Sequence, residues 1–204
     1  NAIFTNSVNS GTIVISGGDT GETAQATFSK EVIGAITLNQ GDTSAKVIFD
    51  GTTRTVAASV TSGVDNEGIV QITGSGITFT GAIGTSGLAS VDVDETTTVA
   101  ALLDARIIDV ATGKTLTADD NFSGDATTVN GTGKIIFKTD ADGAATTAVA
   151  AVINADADGS GTLQFTNTSL TTVTGNVGFT KQIGTIDADT SVTFVGILDA
   201  AAVD

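Results

Sequence analysis

Gly133-Lys134-Ile135-Ile136-Phe137 and Gly161-Thr162-Leu163-Gln164-Phe165 share one pattern, a glycine followed by apolar residues at alternate positions. The same pattern stands earlier as Gly11-Thr12-Ile13-Val14-Ile15 and Gly68-Ile69-Val70-Gln71-Ile72. Alternation with period two is the signature of a strand with one buried face. Its recurrence predicts a fold built by repetition of one strand unit.

Around these stretches, short apolar or alternating runs return roughly every ten residues, the rhythm of an all-β sandwich, barrel or solenoid. Strands are expected near 12–16, 26–29, 35–38, 46–50, 55–60, 68–73, 77–80, 89–93, 97–102 and 106–110. Others are expected near 115–118, 134–138, 148–153, 162–166, 170–174, 184–187 and 191–195. With no proline in the chain, Gly, Asn, Asp and Ser carry the turns. Two Ala-rich stretches, 98–109 and 144–155, have helical propensity, but their Val, Ile and Thr content assigns them to strands. Longer echoes join the units. Thr80-Gly81-Ala82-Ile83-Gly84 leads to Val91-Asp92-Val93-Asp94 and later Leu103-Asp104-Ala105; Thr174-Gly175-Asn176-Val177-Gly178 leads to Ile186-Asp187-Ala188-Asp189 and later Leu198-Asp199-Ala200. A further echo links Phe28-Ser29-Lys30-Glu31-Val32 with Phe179-Thr180-Lys181-Gln182-Ile183. The expected architecture is one elongated β-rich domain over residues 1–204: first a parallel β-solenoid, second an antiparallel sandwich or jelly roll with a donated N-terminal strand.

Composition bounds the function. The 204 residues include nine Phe but no Trp, Tyr, Met, Cys or His. Without His or Cys there is no imidazole base, no Ser-His-Asp triad and no thiolate, so the reading is non-catalytic. Phe28, Phe49, Phe79, Phe137, Phe165 and Phe194 fall on expected strands and are assigned to the core. Eight scattered Lys and Arg within a net charge of −15 make no phosphate-binding track, so nucleic acid is not expected as a partner. The most apolar stretch, 98–111, is broken by Asp104, Arg106 and Asp109, so no membrane span is expected. A chain that starts at Asn1 and has no Met is expected to be a processed product or an excised fragment.

The run Gly161-Thr162-Leu163-Gln164-Phe165-Thr166, then Thr172-Val173-Thr174-Gly175-Asn176-Val177-Gly178, Ile186-Asp187-Ala188 and Val192-Thr193-Phe194 resembles autotransporter passenger regions, in particular the rickettsial-type outer-membrane surface antigens. The resemblance covers residues 161–196, with a weaker echo over 68–94. It implies a β-solenoid exposed on a bacterial cell surface that serves as surface layer and adhesin. It carries no functional residues over to this chain.

Several residues are candidates for sites. Asp140-Ala141-Asp142-Gly143 and Asp156-Ala157-Asp158-Gly159 resemble the opening of a calcium loop, in which oxygens at alternate positions converge on one ion. The EF-hand acid is missing, since Ala151 and Asn167 stand eleven residues after the first Asp of each. Calcium is therefore a candidate ligand of Asp140, Asp142, Asp156 and Asp158, with ordinary Asp-Gly turns as the other reading. The carboxylate pairs Asp92/Asp94 and Asp187/Asp189 could serve a polysaccharide-acting enzyme, but without aromatic cleft walls they read as a solvated or cation-bridged face. Asn121, Asn130 and Asn167 begin N-glycosylation triplets. Ala2-Ile3-Phe4 and the apolar tail 197–203 are expected to be uncapped ends through which copies of the chain associate. The function expected is that of an extracellular structural protein that assembles into a surface layer or filament; an adhesin binding host or neighbouring cells is the alternative.

Overall fold

The computed structural model describes residues 1–16, 24–39, 45–138, 148–167 and 170–204. Its twenty strands begin with β1 (Ala2–Phe4), β2 (Val8–Ile15), β3 (Gln25–Phe28), β4 (Val32–Leu38), β5 (Lys46–Phe49), β6 (Arg54–Ser62) and β7 (Glu67–Ile72). The middle of the chain forms β8 (Ile77–Phe79), β9 (Ile83–Val93), β10 (Thr97–Val99), β11 (Leu103–Val110), β12 (Thr115–Ala118) and β13 (Phe122–Val129). The rest are β14 (Lys134–Phe137), β15 (Ala148–Ala155), β16 (Ser160–Phe165), β17 (Thr171–Val173), β18 (Ile183–Ala188), β19 (Val192–Phe194) and β20 (Ala200–Val203). There is no helix among the described residues.

Every pairing between these strands is parallel, and each joins strands about one coil of chain apart. This is a parallel β-solenoid. An antiparallel sandwich or jelly roll, which needs hairpin-type pairing, does not occur. The chain climbs through three ladders in turn. On the first, Phe4, Phe28, Phe49, Ile72, Val93, Val110, Val129 and Ala155 stack in register. On the second, Val56, Phe79, Val99, Ala118, Phe137 and Phe165 do so. On the third stand Ile13, Ile36, Val60, Ile83, Leu103, Phe122, Val149, Val173 and Phe194.

The alternating sequence explains the core. Strands such as β7 and β16 bury every second residue and leave the others half-exposed. Small and β-branched side chains fill thin layers that repeat at the strand spacing of about 4.8 Å. Phenylalanine supplies the bulk. Phe28, Phe49, Phe79, Phe122, Phe137 and Phe165 are fully buried. The rings of Phe137 and Phe165 stack with centroids 5.0 Å apart, and Phe122 meets Phe137 edge-on at 5.4 Å. Each such pair contributes about 0.5–1.5 kcal/mol beyond its burial. A polar residue inside must find a partner, and Thr97, buried on the second ladder, donates its hydroxyl to the Ile77 carbonyl at 2.8 Å.

Corners absorb the variation in coil length. Between the third and first ladders β9 carries Gly84 to Gly87 where β11 has Asp104 alone, so β9 bulges outward there. Gly84 sits at φ 90°, and a Cβ on it would lie 1.7 Å from the Asp104 carbonyl oxygen. Only glycine lets the two coils approach this closely. The Ala-rich stretches are strands, as their β-branched content predicts: β10 and β11 for the first, and β15 for the described part of the second. Strand β13 lies outside the strands expected from sequence, since Ser123-Gly124-Asp125 interrupts its alternation. That interruption is the corner through which the strand bends from one ladder to the next.

Candidate functional site

At each end of the solenoid the outermost strands have a single partner among the described residues. At the start, β1 pairs only with β3 and β2 only with β4, so each offers an unpartnered edge among the described residues. Phe4, Val8 and Ile13 form the last core layer there and are partly buried. Phe4 stacks on Phe28 at 4.8 Å. Ile3 and Val14 point outward, 72% and 57% exposed. Of the expected assembly residues, Ile3 thus lies on the outer strand surface, while Ala2 and Phe4 face the core side, in register with buried Ala26 and Phe28.

The other end mirrors this arrangement. Among the described residues, β19 pairs only with β17 and β20 only with β18. Val192, Phe194 and Ala200 make a partly buried final layer, and Val195, Ile197 and Val203 are exposed beside it. An unpaired strand edge is a template for another strand, and a solenoid end without a polar cap exposes apolar area. Because all strands run the same way, the first edge of one rod and the last edge of another can continue the parallel ladder head to tail.

The candidate calcium residues separate into two groups. Asp140 and Asp142 lie outside the described residues. Asp156 and Asp158 lie on the turn between β15 and β16, and their oxygens hold backbone groups of the adjoining coils. Asp156 Oδ1 accepts from the Gly131 amide (2.9 Å), the Ala157 amide (2.9 Å) and the Ser160 hydroxyl (2.6 Å). These bonds favour its ionised form and hold its pKa below the usual carboxylate range. Asp158 accepts from the Gln182 amide at 3.1 Å and lies 4.0 Å from the Lys181 ammonium. Gln182 in turn donates to Asp199 at 2.7 Å. The turn clamps three coils along one corner, and a cation would have to use the lone pairs these bonds leave over.

The paired carboxylates of the strands occupy different ladders, Asp92/Asp94 around the first and Asp187/Asp189 around the second. Asp94 accepts from Gln71 at 2.6 Å and Asp187 from Gln164 at 2.9 Å, each bond joining neighbouring coils. Asp92 stands in direct register with Asp109. Partial burial pushes the Asp92 pKa up, and the Ser90 hydrogen bond and Lys46 oppose this while Asp94 and Asp109 add to it. No group of three or more carboxylates among the described residues converges for a metal ion. Of the glycosylation triplets, Asn167 is fully buried and Asn130 donates to Asp109 at 2.9 Å, whereas Asn121 lies exposed before β13.

Sequence reading missed a recess of about 400 Å³ on the corner between the third and first ladders, where Asp65 and Asn66, the bulge at 85–87, and residues 104–106 and 123–125 meet. Its parts lie tens of residues apart and come together only through register; the signal available was the repeated Leu-Asp-Ala, one copy of which forms its floor. No helix among the described residues is long and apolar enough to cross a membrane. No family model, no curated protein and no solved structure matches the chain.

Proposed function

We propose that this chain is a non-catalytic structural rod of a bacterial cell exterior that associates end to end into a surface layer or filament. The observation that carries the reading is the pair of same-direction strand edges that have no second partner among the described residues, each beside a partly buried core layer. Head-to-tail contact is heterologous, and such contacts propagate as filaments unless a rotation closes them into rings. Backbone pairing needs no specialised side chains, which suits a chain without His, Cys or Tyr. The extracellular location is proposed from the composition and from the resemblance over residues 161–196. Calcium is proposed as a modulator, because a divalent cation would relieve the repulsion of a rod with net charge −15.

Negative-stain electron microscopy of the purified chain, in chelator and then in millimolar calcium, tests this. Filaments or sheets are expected, more abundant with calcium. The double substitution Ile3→Lys and Val14→Lys, both at exposed positions of the first edge, is expected to disperse them while shifting stability by less than about 0.5 kcal/mol. Monomers in both conditions would overturn self-association and favour the adhesin reading.

A further inference from the structure

The corner recess gathers unengaged polar side chains in one concavity, unlike the carboxylates that tie neighbouring coils together elsewhere on the rod. Asp94, Asp156, Asp158, Asp187 and Asp199 all accept hydrogen bonds from neighbouring coils. In the recess, the side chains of Ser86, Asp104, Arg106, Ser123 and Asp125 make no hydrogen bond or ion pair among the described residues. Arg106 stays unpaired although Asp104 and Asp125 lie in the same recess. Donors and acceptors left free in one concavity are what a polar ligand needs.

Fold geometry gives the recess its direction. Asp104 stands in register with Ser123, and Ser123 with Ala150, so the floor is an outward-facing ladder of successive coils. Tight corners build that floor. The bulge at Gly84–Gly87 and the Asp65-Asn66 turn, where Asn66 takes φ 62°, stand proud of it at one end. The result is a trough running along the rod axis, with Asp104 and Ser123 offering polar groups on successive coils about 4.8 Å apart and Ala150 closing the far end.

We infer that this trough binds an extended, uncharged, hydroxyl-rich chain, an oligosaccharide lying parallel to the rod axis. Carboxylates accept from sugar hydroxyls, Arg106 donates to them, and Ser86 and Ser123 do either. Three carboxylates (Asp65, Asp104 and Asp125) against one guanidinium repel uronate or phosphate polymers. With no aromatic side chain in the lining, affinity for one site is weak, with a Kd on the order of 1 mM; many sites on one assembly would raise it. The inference stands whether or not the rods associate.

The test is an amide-resolved NMR titration of the full chain with hexamers of β-1,4-glucose, β-1,4-N-acetylglucosamine and α-1,4-glucose, with hexagalacturonate as the charged comparison. For at least one neutral hexamer, shifts are expected at residues 65–66, 85–87, 104–106 and 123–125. Arg106→Ala and Asp125→Asn, both at exposed positions, should each weaken that binding about tenfold, with peak dispersion elsewhere unchanged; Asp94→Asn should not weaken it. The inference is overturned by no shifts with any neutral hexamer, by shifts mapping to another face, by hexagalacturonate binding as well as the neutral chains, or by binding that survives both recess substitutions.

Discussion

Phe137→Ala tests the layered core most directly. Phe137 is fully buried and its ring meets Phe165 at 5.0 Å and Phe122 at 5.4 Å, so truncation opens a cavity between two coils and removes two ring pairs. A buried Phe→Ala change costs about 3–5 kcal/mol. Two lost ring pairs, each worth about 0.5–1.5 kcal/mol, place this one near the top of that range. Phe194→Ala is the internal comparison. Phe194 lies in the final layer, partly buried, with Phe165 as its ring neighbour at 5.8 Å, and its loss should cost only about 1–2 kcal/mol. Urea unfolding measures both. Hydrogen exchange adds a second reading, since each coil touches only its neighbours: Phe137→Ala should loosen amides of β12, β14 and β16 before those of β3 and β5. Equal costs for the two substitutions, or a uniform loss of protection along the rod, would refute the picture of stacked, locally coupled layers.

Asp92→Asn should raise stability at neutral pH by a few tenths of a kcal/mol, since it removes a half-buried charge in register with Asp109 and this partly exposed site is screened. The sign comes from the raised pKa. The folded state binds a proton at Asp92 more readily than the unfolded chain, so the native protein loses stability as pH rises from the ordinary carboxylate range through the raised value. The advantage of the substitution should shrink as pH falls through that window, and thermal melts across pH check this. Gly84→Ala should cost at least about 2 kcal/mol because strain at positive φ adds to the contact with the Asp104 carbonyl; Gly159→Ala, at φ 77° with nothing within 4 Å of the new Cβ, should cost only about 1 kcal/mol, as urea melts would record. Asp156→Ala should speed hydrogen exchange at the Gly131 and Ala157 amides. Because the Asp156 pKa is lowered, the same loss of protection, after correction for the intrinsic pH dependence of exchange, should appear in the unmodified chain as pH drops through that lowered pKa.

Much of the fold is legible locally. Alternation in Gly161-Thr162-Leu163-Gln164-Phe165 marks β16 because every second side chain must enter the core, and the same holds for β5, β7 and β14. The ladder partners are not legible, because coil length varies: from Phe28 the next residue in register is Phe49, but from Val129 it is Ala155. Strand β20 reads in sequence only as an apolar tail, since Ala-Ala-Ala-Val alternates nothing. The turn at Asp156 looks like an ion site because sequence shows carboxylate spacing and not the backbone amides of adjoining coils that take up those oxygens.

The echoes along the chain do not fall on the same ladder. Gly81-Ala82-Ile83-Gly84 enters the third ladder, where Ile83 pairs with Leu103; Gly175-Asn176-Val177-Gly178 enters the first, where Val177 pairs with Leu198. Like segments therefore serve unlike faces, and the interchangeable module is a strand with its corner, a third of a coil. A chain built this way can gain or lose one module and merely rotate the downstream coils by one face. Its length is adjustable in finer steps than whole coils, and surface features such as the trough can be turned toward a new direction without redesigning the interior.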